Sequence, residues 1–211
     1  MSRTAVVTGG SGGIGRAVVA ELRGRGWEVV SLSRREGCDV SDEAQVRRAF
    51  ERIESLDALI NGAAQLIKRP ILELTAADWD AQIEAGLRGA FLCSREAFRL
   101  MRNSGGSIVM VSSLSGVQGA EKFPGMAAYV AAKSGLAGLT EALAVEGRPL
   151  GIRVNAISPG AVDTPMLRIA GVEGPRLQPA EVARIIVWLA SPESAPLSGS
   201  NLRLDPTDRG T

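Results

Sequence analysis

Histidine is absent from all 211 residues of this chain. That one gap excludes imidazole acid–base catalysis, Ser-His-Asp and Cys-His triads, and histidine-ligated zinc. Cysteine is nearly absent too: Cys38 and Cys93 are too few for a disulfide framework and match no metal-ligand spacing, so no metal is expected. Charge of one sign is also missing. Lys and Arg number 24 against 23 Asp and Glu, a net charge of +1 that leaves no basic footprint for nucleic acid. No apolar run reaches the roughly 20 residues a membrane span needs. The N-terminus enters a strand pattern directly, without signal-peptide regions, so a cytoplasmic location with no membrane partner is expected. Proton chemistry must therefore come from Tyr, Lys, Ser or a carboxylate.

What is present then stands out. Tyr129 is the only tyrosine, and Lys133 follows four positions later in Met126–Lys133. On a helix such residues share a face. A cation beside a phenol stabilises the phenolate and is expected to lower a pKa otherwise near 10. The pair would then serve as a proton donor to a developing alkoxide at neutral pH.

The rest of the chain is patterned for alternating strands and helices. Thr4–Thr8 reads as a buried parallel strand running into Gly9-Gly10-Ser11-Gly12-Gly13-Ile14-Gly15. A helix over 14–25 and a strand over 28–33 complete a βαβ unit. The glycines fit two spacings, Gly10-x-Gly12-x-x-Gly15 and Thr8-Gly9-x-x-x-Gly13-x-Gly15. Either makes an anion site from backbone amides and a helix N-terminus. No Lys-Ser/Thr follows, which argues against an NTPase phosphate loop. The second strand ends Ser33-Arg34-Arg35, with Glu36 one step late for a ribose acceptor, so NADP(H) is favoured over NAD(H).

A helix capped by Ser41 and running to about Ile53, and a strand over 56–60, follow. Next come a long helix from Asp78 to about Arg102 and a strand over 107–112. The helix over 125–146 carries the Tyr-Lys pair. A strand over 152–157, a helix over 179–190 and a last short strand over 201–204 complete the pattern. The expectation is an α/β fold: one doubly wound parallel sheet of the Rossmann kind, helices on both faces, in a single domain over 1–211. Four chemistry-bearing segments follow strand C-terminal ends, the edge where such sheets bind ligands.

In that order the segments resemble the short-chain dehydrogenase/reductase family, most like its 3-oxoacyl-(acyl-carrier-protein) reductase type. The resemblance rests on Thr8-Gly9-x-x-x-Gly13-Ile14-Gly15, Asp39-Val40, Asn61-Gly62-Ala63-Ala64, Ser113, Tyr129-x-x-x-Lys133 and Asn155-Ala156-Ile157-Ser158-Pro159-Gly160. It implies an oxidoreductase interconverting a carbonyl and a secondary alcohol of a small molecule. Tyr129 would exchange the proton, Lys133 would bind the nicotinamide ribose and tune the tyrosine, and Ser113 would orient the substrate oxygen, with Ser112 as the neighbouring candidate. Gly9, Ser11, Gly13 and Ile14 would hold the pyrophosphate, Ser33 and Arg34 the ribose phosphate, and Asp39 and Val40 the adenine. Asn61 and Ala63 would line the cofactor, and Pro159, Gly160, Val162 and Thr164 would meet its nicotinamide end. Homodimers or homotetramers through the two long apolar helices are implied as well.

Four departures from the family pattern set further expectations. Gly86 stands where an asparagine usually anchors the proton relay. Ser113 and Tyr129 are sixteen positions apart, which enlarges the loop within 116–125. Almost nothing lies between Arg35 and Asp39, so a helix and most of a strand are missing and the adenine side should be open. The lid over 166–178 is short, and Asp205-Pro206-Thr207 replaces the usual glycines. The first and third departures keep an alternative alive, a cofactor-binding sensor or interaction module with little turnover. A nucleotide-sugar epimerase is disfavoured by the short C-terminal region.

Overall fold

In a computed structural model, residues 2–206 are described; Met1 and residues 207–211, and with them the expectation on Thr207, lie outside. Six strands form one sheet: β1 (Thr4–Thr8), β2 (Glu28–Leu32), β3 (Ala58–Asn61), β4 (Gly106–Val111), β5 (Ile152–Pro159) and β6 (Asn201–Leu204). Their order is β2-β1-β3-β4-β5-β6 and every pairing is parallel. The four inner strands β1, β3, β4 and β5 are buried on both faces, which is why they lack an alternating apolar pattern, while the edge strands β2 and β6 are only partly buried.

Alternate residues feed two separate apolar layers. Val6, Leu59, Ile108, Met110, Val154 and Ala156 face α2 (Glu43–Phe50), α4 (Gly89–Met101) and α5 (Ala127–Gly147). Ala5, Val7, Ile60, Val109 and Ile157 face α1 (Gly13–Gly24) and α7 (Pro179–Ala190). The chain leaves β1 for β2 on one side and reaches β3 on the other, so the reversal point lies between β1 and β3. In a doubly wound sheet that crevice is the ligand site.

Three local readings are corrected. The cap of α2 is Asp42, whose carboxylate accepts from the Gln45 amide at 3.0 Å, while Ser41 bonds Asp39 instead. The long helix starts at Ala76 behind a Thr75 cap, as α3 (Ala76–Ile83), and reaches α4 only through a π-helical turn over Glu84–Arg88. Sequence periodicity does not reveal one inserted residue, because the apolar face resumes after it. A short helix, α6 (Pro165–Ala170), lies within the segment read as a lid.

The trimmed region has the expected result. Only a 3-10 turn (Arg34–Glu36) joins β2 to the approach to α2, and β2 pairs with β1 alone. A cavity of about 250 Å3 opens there, lined by Val30, Leu32, Cys38, Arg48 and Ile53 among others.

Arg153 fastens the far side. From β5 it donates to the carbonyls of Leu189 (3.3 Å), Ser191 (2.9 Å) and Ser194 (3.1 Å), satisfying groups left open at the end of α7. Replacing Arg153 with Ala should cost roughly 2–4 kcal/mol, because several carbonyls lose a charged donor. A urea melt with a lower midpoint and unchanged slope would show it; an unchanged midpoint would mean water replaces the guanidinium.

Candidate active site

The glycine turn is built by contacts that tolerate no side chain. Gly9 has φ +71°, and a Cβ there would lie 2.8 Å from the Gly62 carbonyl oxygen. A Cβ on Gly15 would lie 2.1 Å from the Gly9 carbonyl, so the first turn of α1 folds directly onto the strand end. Thr8 Oγ1 accepts from the amides of Gly62 and Ala63 at 3.0 and 3.1 Å, tying the turns after β1 and β3 together. No side chain caps α1, so the amides of its first turn remain free for an anion. This cradle fits the pyrophosphate of a dinucleotide, and Ser11 and Ile14 lie within it.

Around the cradle the other expected residues arrive unevenly. Thr164 packs on the start of α1, its Cγ2 2.5 Å from where a Gly13 Cβ would sit. Gly160 is held by its amide to the Leu204 carbonyl at 2.8 Å, Pro159 ends β5, and Val162 is buried beside a bridge to Leu177. Asp39 accepts from the Ser41 amide and hydroxyl, and buried Val40 packs on Gly89. The Asn61 side chain, however, is turned into the layer under α4, where its Nδ2 donates to Ser94 Oγ at 3.0 Å. Ala63, two residues on, lies at the crevice instead.

The chemistry end is set by β4 and α5. Ser112 is spent on structure: its hydroxyl donates to the Lys133 carbonyl at 2.8 Å. Ser113 is the one that approaches Tyr129, close enough for its hydroxyl to favour the ionised phenol. Lys133, almost fully buried, donates from Nζ to the Val111 carbonyl at 2.6 Å and lies 5.6 Å from the centre of the Tyr129 ring. Ser113, Tyr129 and Lys133 therefore form one cluster beside the glycine cradle's sheet edge. Over residues 9–206 the chain matches the family model described as enoyl-(acyl carrier protein) reductase.

The chain belongs to the short-chain dehydrogenase/reductase family.

Its relatives in that family include the 3beta-hydroxysteroid dehydrogenase of Mediterraneibacter gnavus, 38% identical over 76% of this chain and 66% of that protein. Another is the cis-4-hydroxycyclohexanecarboxylate dehydrogenase of Sinomonas cyclohexanicum, 36% identical over 96% of this chain and 95% of that protein. Among solved structures, the aldohexose dehydrogenase of Thermoplasma acidophilum superposes with a TM-score of 0.89 at 28% identity, covering 97% and 93% of the two chains. Among the described residues no strand lies beyond β2, which forms one edge of the sheet.

The electrostatics of the pair depart from the expectation. Burial pushes the Tyr129 phenol up to about 12, with the Ser113 hydroxyl acting the other way. Burial pushes the Lys133 ammonium down to about 8. Desolvation outweighs the attraction between the two groups, because the ammonium is aimed at a backbone carbonyl rather than at the phenol oxygen. Tyr129 is consequently held as a neutral phenol, the form that donates a proton.

The wide turn at Glu84–Arg88 is the main feature the sequence did not disclose. Gly86 sits within it, and a Cβ there would meet the Ala132 Cβ at 3.4 Å, so the turn rests on α5 beside Lys133. A π turn leaves a carbonyl without an intrahelical donor. An apolar wall also surrounds Tyr129, to which the sequence gives no signal: Leu66 from the segment after β3, Phe123 from the inserted loop, Met126 at the start of α5, and Met166, Ala170 and Val172 in and after α6.

Lys133 also sets a pH dependence of stability. Its native pKa of about 8 lies below the ordinary 10.5, so the unfolded chain binds more protons between those values. The contribution is full above about 10.5 and is lost as pH falls through 8. Urea midpoints of the native protein should rise from about pH 7.5 to 9.5, and Lys133→Met should flatten that rise. Equal rises in both proteins would assign the effect elsewhere.

Proposed function

We propose that this chain is an NAD(P)(H)-dependent oxidoreductase that interconverts a ketone and a secondary alcohol. The observation that carries the reading is the convergence of the Ser113 hydroxyl on the Tyr129 phenol, beside buried Lys133, at the sheet edge that bears the free amides of α1. One domain would hold both cofactor and substrate. The nicotinamide, when bound, supplies or accepts the hydride. Ser113 fixes the substrate oxygen, Tyr129 gives its proton to that oxygen as charge develops, and Lys133 supplies a cation that favours the resulting phenolate. The π turn at Gly86 rests on α5 beside Lys133, so backbone groups rather than an asparagine side chain would have to end the relay there. The turn weakens the part of the sensor reading that rested on the glycine, while the trimmed adenine side still motivates the other part.

The apolar wall and the relatives together support a cyclic substrate. The two enzymes named above act, by their names, on a hydroxysteroid and a hydroxycyclohexanecarboxylate, both ring alcohols. The exposed Phe91 and Val145 on α4 and α5 support a homodimer or homotetramer through those helices, in the cytoplasm.

NADP(H) is the preferred cofactor on the first reading, because Arg34 and Arg35 are exposed at the end of β2, and no ion pair holds either among the described residues. A specific observation favours NAD(H): the 3-10 turn brings Glu36 Oε2 to within 2.9 Å of Ser31 Oγ and 2.5 Å of Ser33 Oγ, placing a carboxylate beside the strand end. Arg34→Asp should lower the NADPH-to-NADH ratio of kcat/KM about tenfold if arginine reads a 2′-phosphate. A wild-type ratio already below one, rising in Glu36→Gln, would assign the selection to the carboxylate.

Tyr129→Phe should lower turnover of cyclohexanone or its alcohol by a factor on the order of a thousand while cofactor binding persists. A variant retaining most of its activity would remove Tyr129 from the proton step.

A further inference from the structure

Lysine is rare here in a way that points to the substrate. The chain has only three, Lys68, Lys122 and Lys133, and its other cations are arginines. All three lie in or beside segments that contribute to the apolar cluster around Tyr129, and all three ammonium groups end on backbone carbonyls. Lys133 donates to Val111; Lys122 donates to Val117 and Ala120, both at 2.7 Å, bracing the inserted loop from within. Lys68 is different because it bridges two walls. Its stem packs against Gly125 of the inserted loop, where a Cβ would lie 3.1 Å from Lys68 Cγ. Its Nζ donates to the Ala170 carbonyl at the end of α6, 2.6 Å away.

Those two anchor points border the apolar cluster. Met126 follows Gly125, Ala170 belongs to the cluster, and Leu66 lies two residues before Lys68. The ammonium therefore stands at the seam between inserted loop and lid, beside the apolar cluster. Acids do occur nearby in sequence, Glu73, Glu121, Asp163 and Glu173, but none is ion-paired with Lys68 among the described residues. The neighbouring Arg69 is engaged by Asp78 at 3.1 Å. Lys68 is an exposed residue whose ammonium is only part-buried at the Ala170 carbonyl, and a neutral carbonyl is a weaker partner for an ammonium than a carboxylate.

We propose that Lys68 binds a carboxylate at the far end of the substrate, so that the natural substrate is a keto acid or hydroxy acid with an apolar, ring-sized body. This rests on the reading of Tyr129 as the reacting end. The apolar body lies against the partly exposed faces of Phe123, Met166 and Val172, and the carboxylate takes the place of the Ala170 carbonyl on Nζ. Exchanging that partner also frees the end of α6, which couples acid binding to the position of the lid.

The test compares cyclohexanone with 4-oxocyclohexanecarboxylate in the wild type, Lys68→Gln and Lys68→Arg. The wild type should favour the acid in kcat/KM, and the advantage should fall roughly five- to tenfold in Lys68→Gln and largely return in Lys68→Arg. A ratio that is unchanged in Lys68→Gln, or two substrates that weaken equally, would overturn the proposal and leave Lys68 as a lid clamp only. Calorimetry supplies a readout that needs no turnover. With NADPH or NADH at saturation, cyclohexanecarboxylate should bind the wild type more tightly than Lys68→Gln, by a margin that shrinks with added salt. Equal binding would overturn it too. If neither ketone is turned over but this binding difference is present, the role of Tyr129 fails while that of Lys68 stands.

Discussion

The close seam between the end of β4 and the middle of α5 is the constraint on which the rest depends. A Cβ on Gly116 would lie 2.6 Å from the Lys133 carbonyl carbon, so only glycine lets the strand-end turn reach the helix backbone. Three hydrogen bonds then stitch the two together: Ser112 to the Lys133 carbonyl, Lys133 Nζ to the Val111 carbonyl, and Ser134 Oγ to the Gly116 carbonyl. With the backbone so fixed, Ser113 at the end of the seam caps the turn that follows, accepting from the Ser115 amide at 3.2 Å, and lies close to Tyr129. The chemistry is positioned by secondary structure rather than by mobile loops, which is how catalytic geometry is kept to fractions of an ångström.

That rigidity carries an electrostatic cost. The same burial that orders Tyr129 and Lys133 works against the charged form of each, keeping the phenol protonated and making the ammonium easier to deprotonate. A site built this way is less stable than an apolar core of the same shape. What it gains is a neutral proton donor with a cation one helical turn away, in a region from which water is mostly excluded.

Much of this was legible in the residues. Buried strands announced themselves as continuous apolar runs, and Pro179 marked the start of α7 because proline suits the first helical position. The glycine cradle and the Tyr129-x-x-x-Lys133 pair were legible because short-range spacing fixes them, whereas Ser113 entered only through the family resemblance. Other features depended on distance in space and had no local signature. The π turn at Glu84–Arg88 hides inside a regular apolar period, and the inward turn of Asn61 depends on Ser94, thirty-three residues away. The direction of the tyrosine's pKa shift was misjudged because pair spacing is visible in a sequence and depth of burial is not. Glu36 was set aside as one step late, since nothing in the one-dimensional order shows a 3-10 turn folding it back onto Ser31 and Ser33.

The bare side of β2 has a consequence for how the protein behaves among copies of itself. A strand without an outer neighbour presents a row of unsatisfied amides and carbonyls, a template onto which another chain can add. This one is only five residues long, begins with exposed Glu28, and is followed at once by Arg34, Arg35 and Glu36. Charges at both ends of a short edge discourage a second strand from extending along it. Shortening the fold thus transferred to a few surface charges the guarding task that a missing strand would have performed, and their loss would be felt as sheet-to-sheet association before any change in the core.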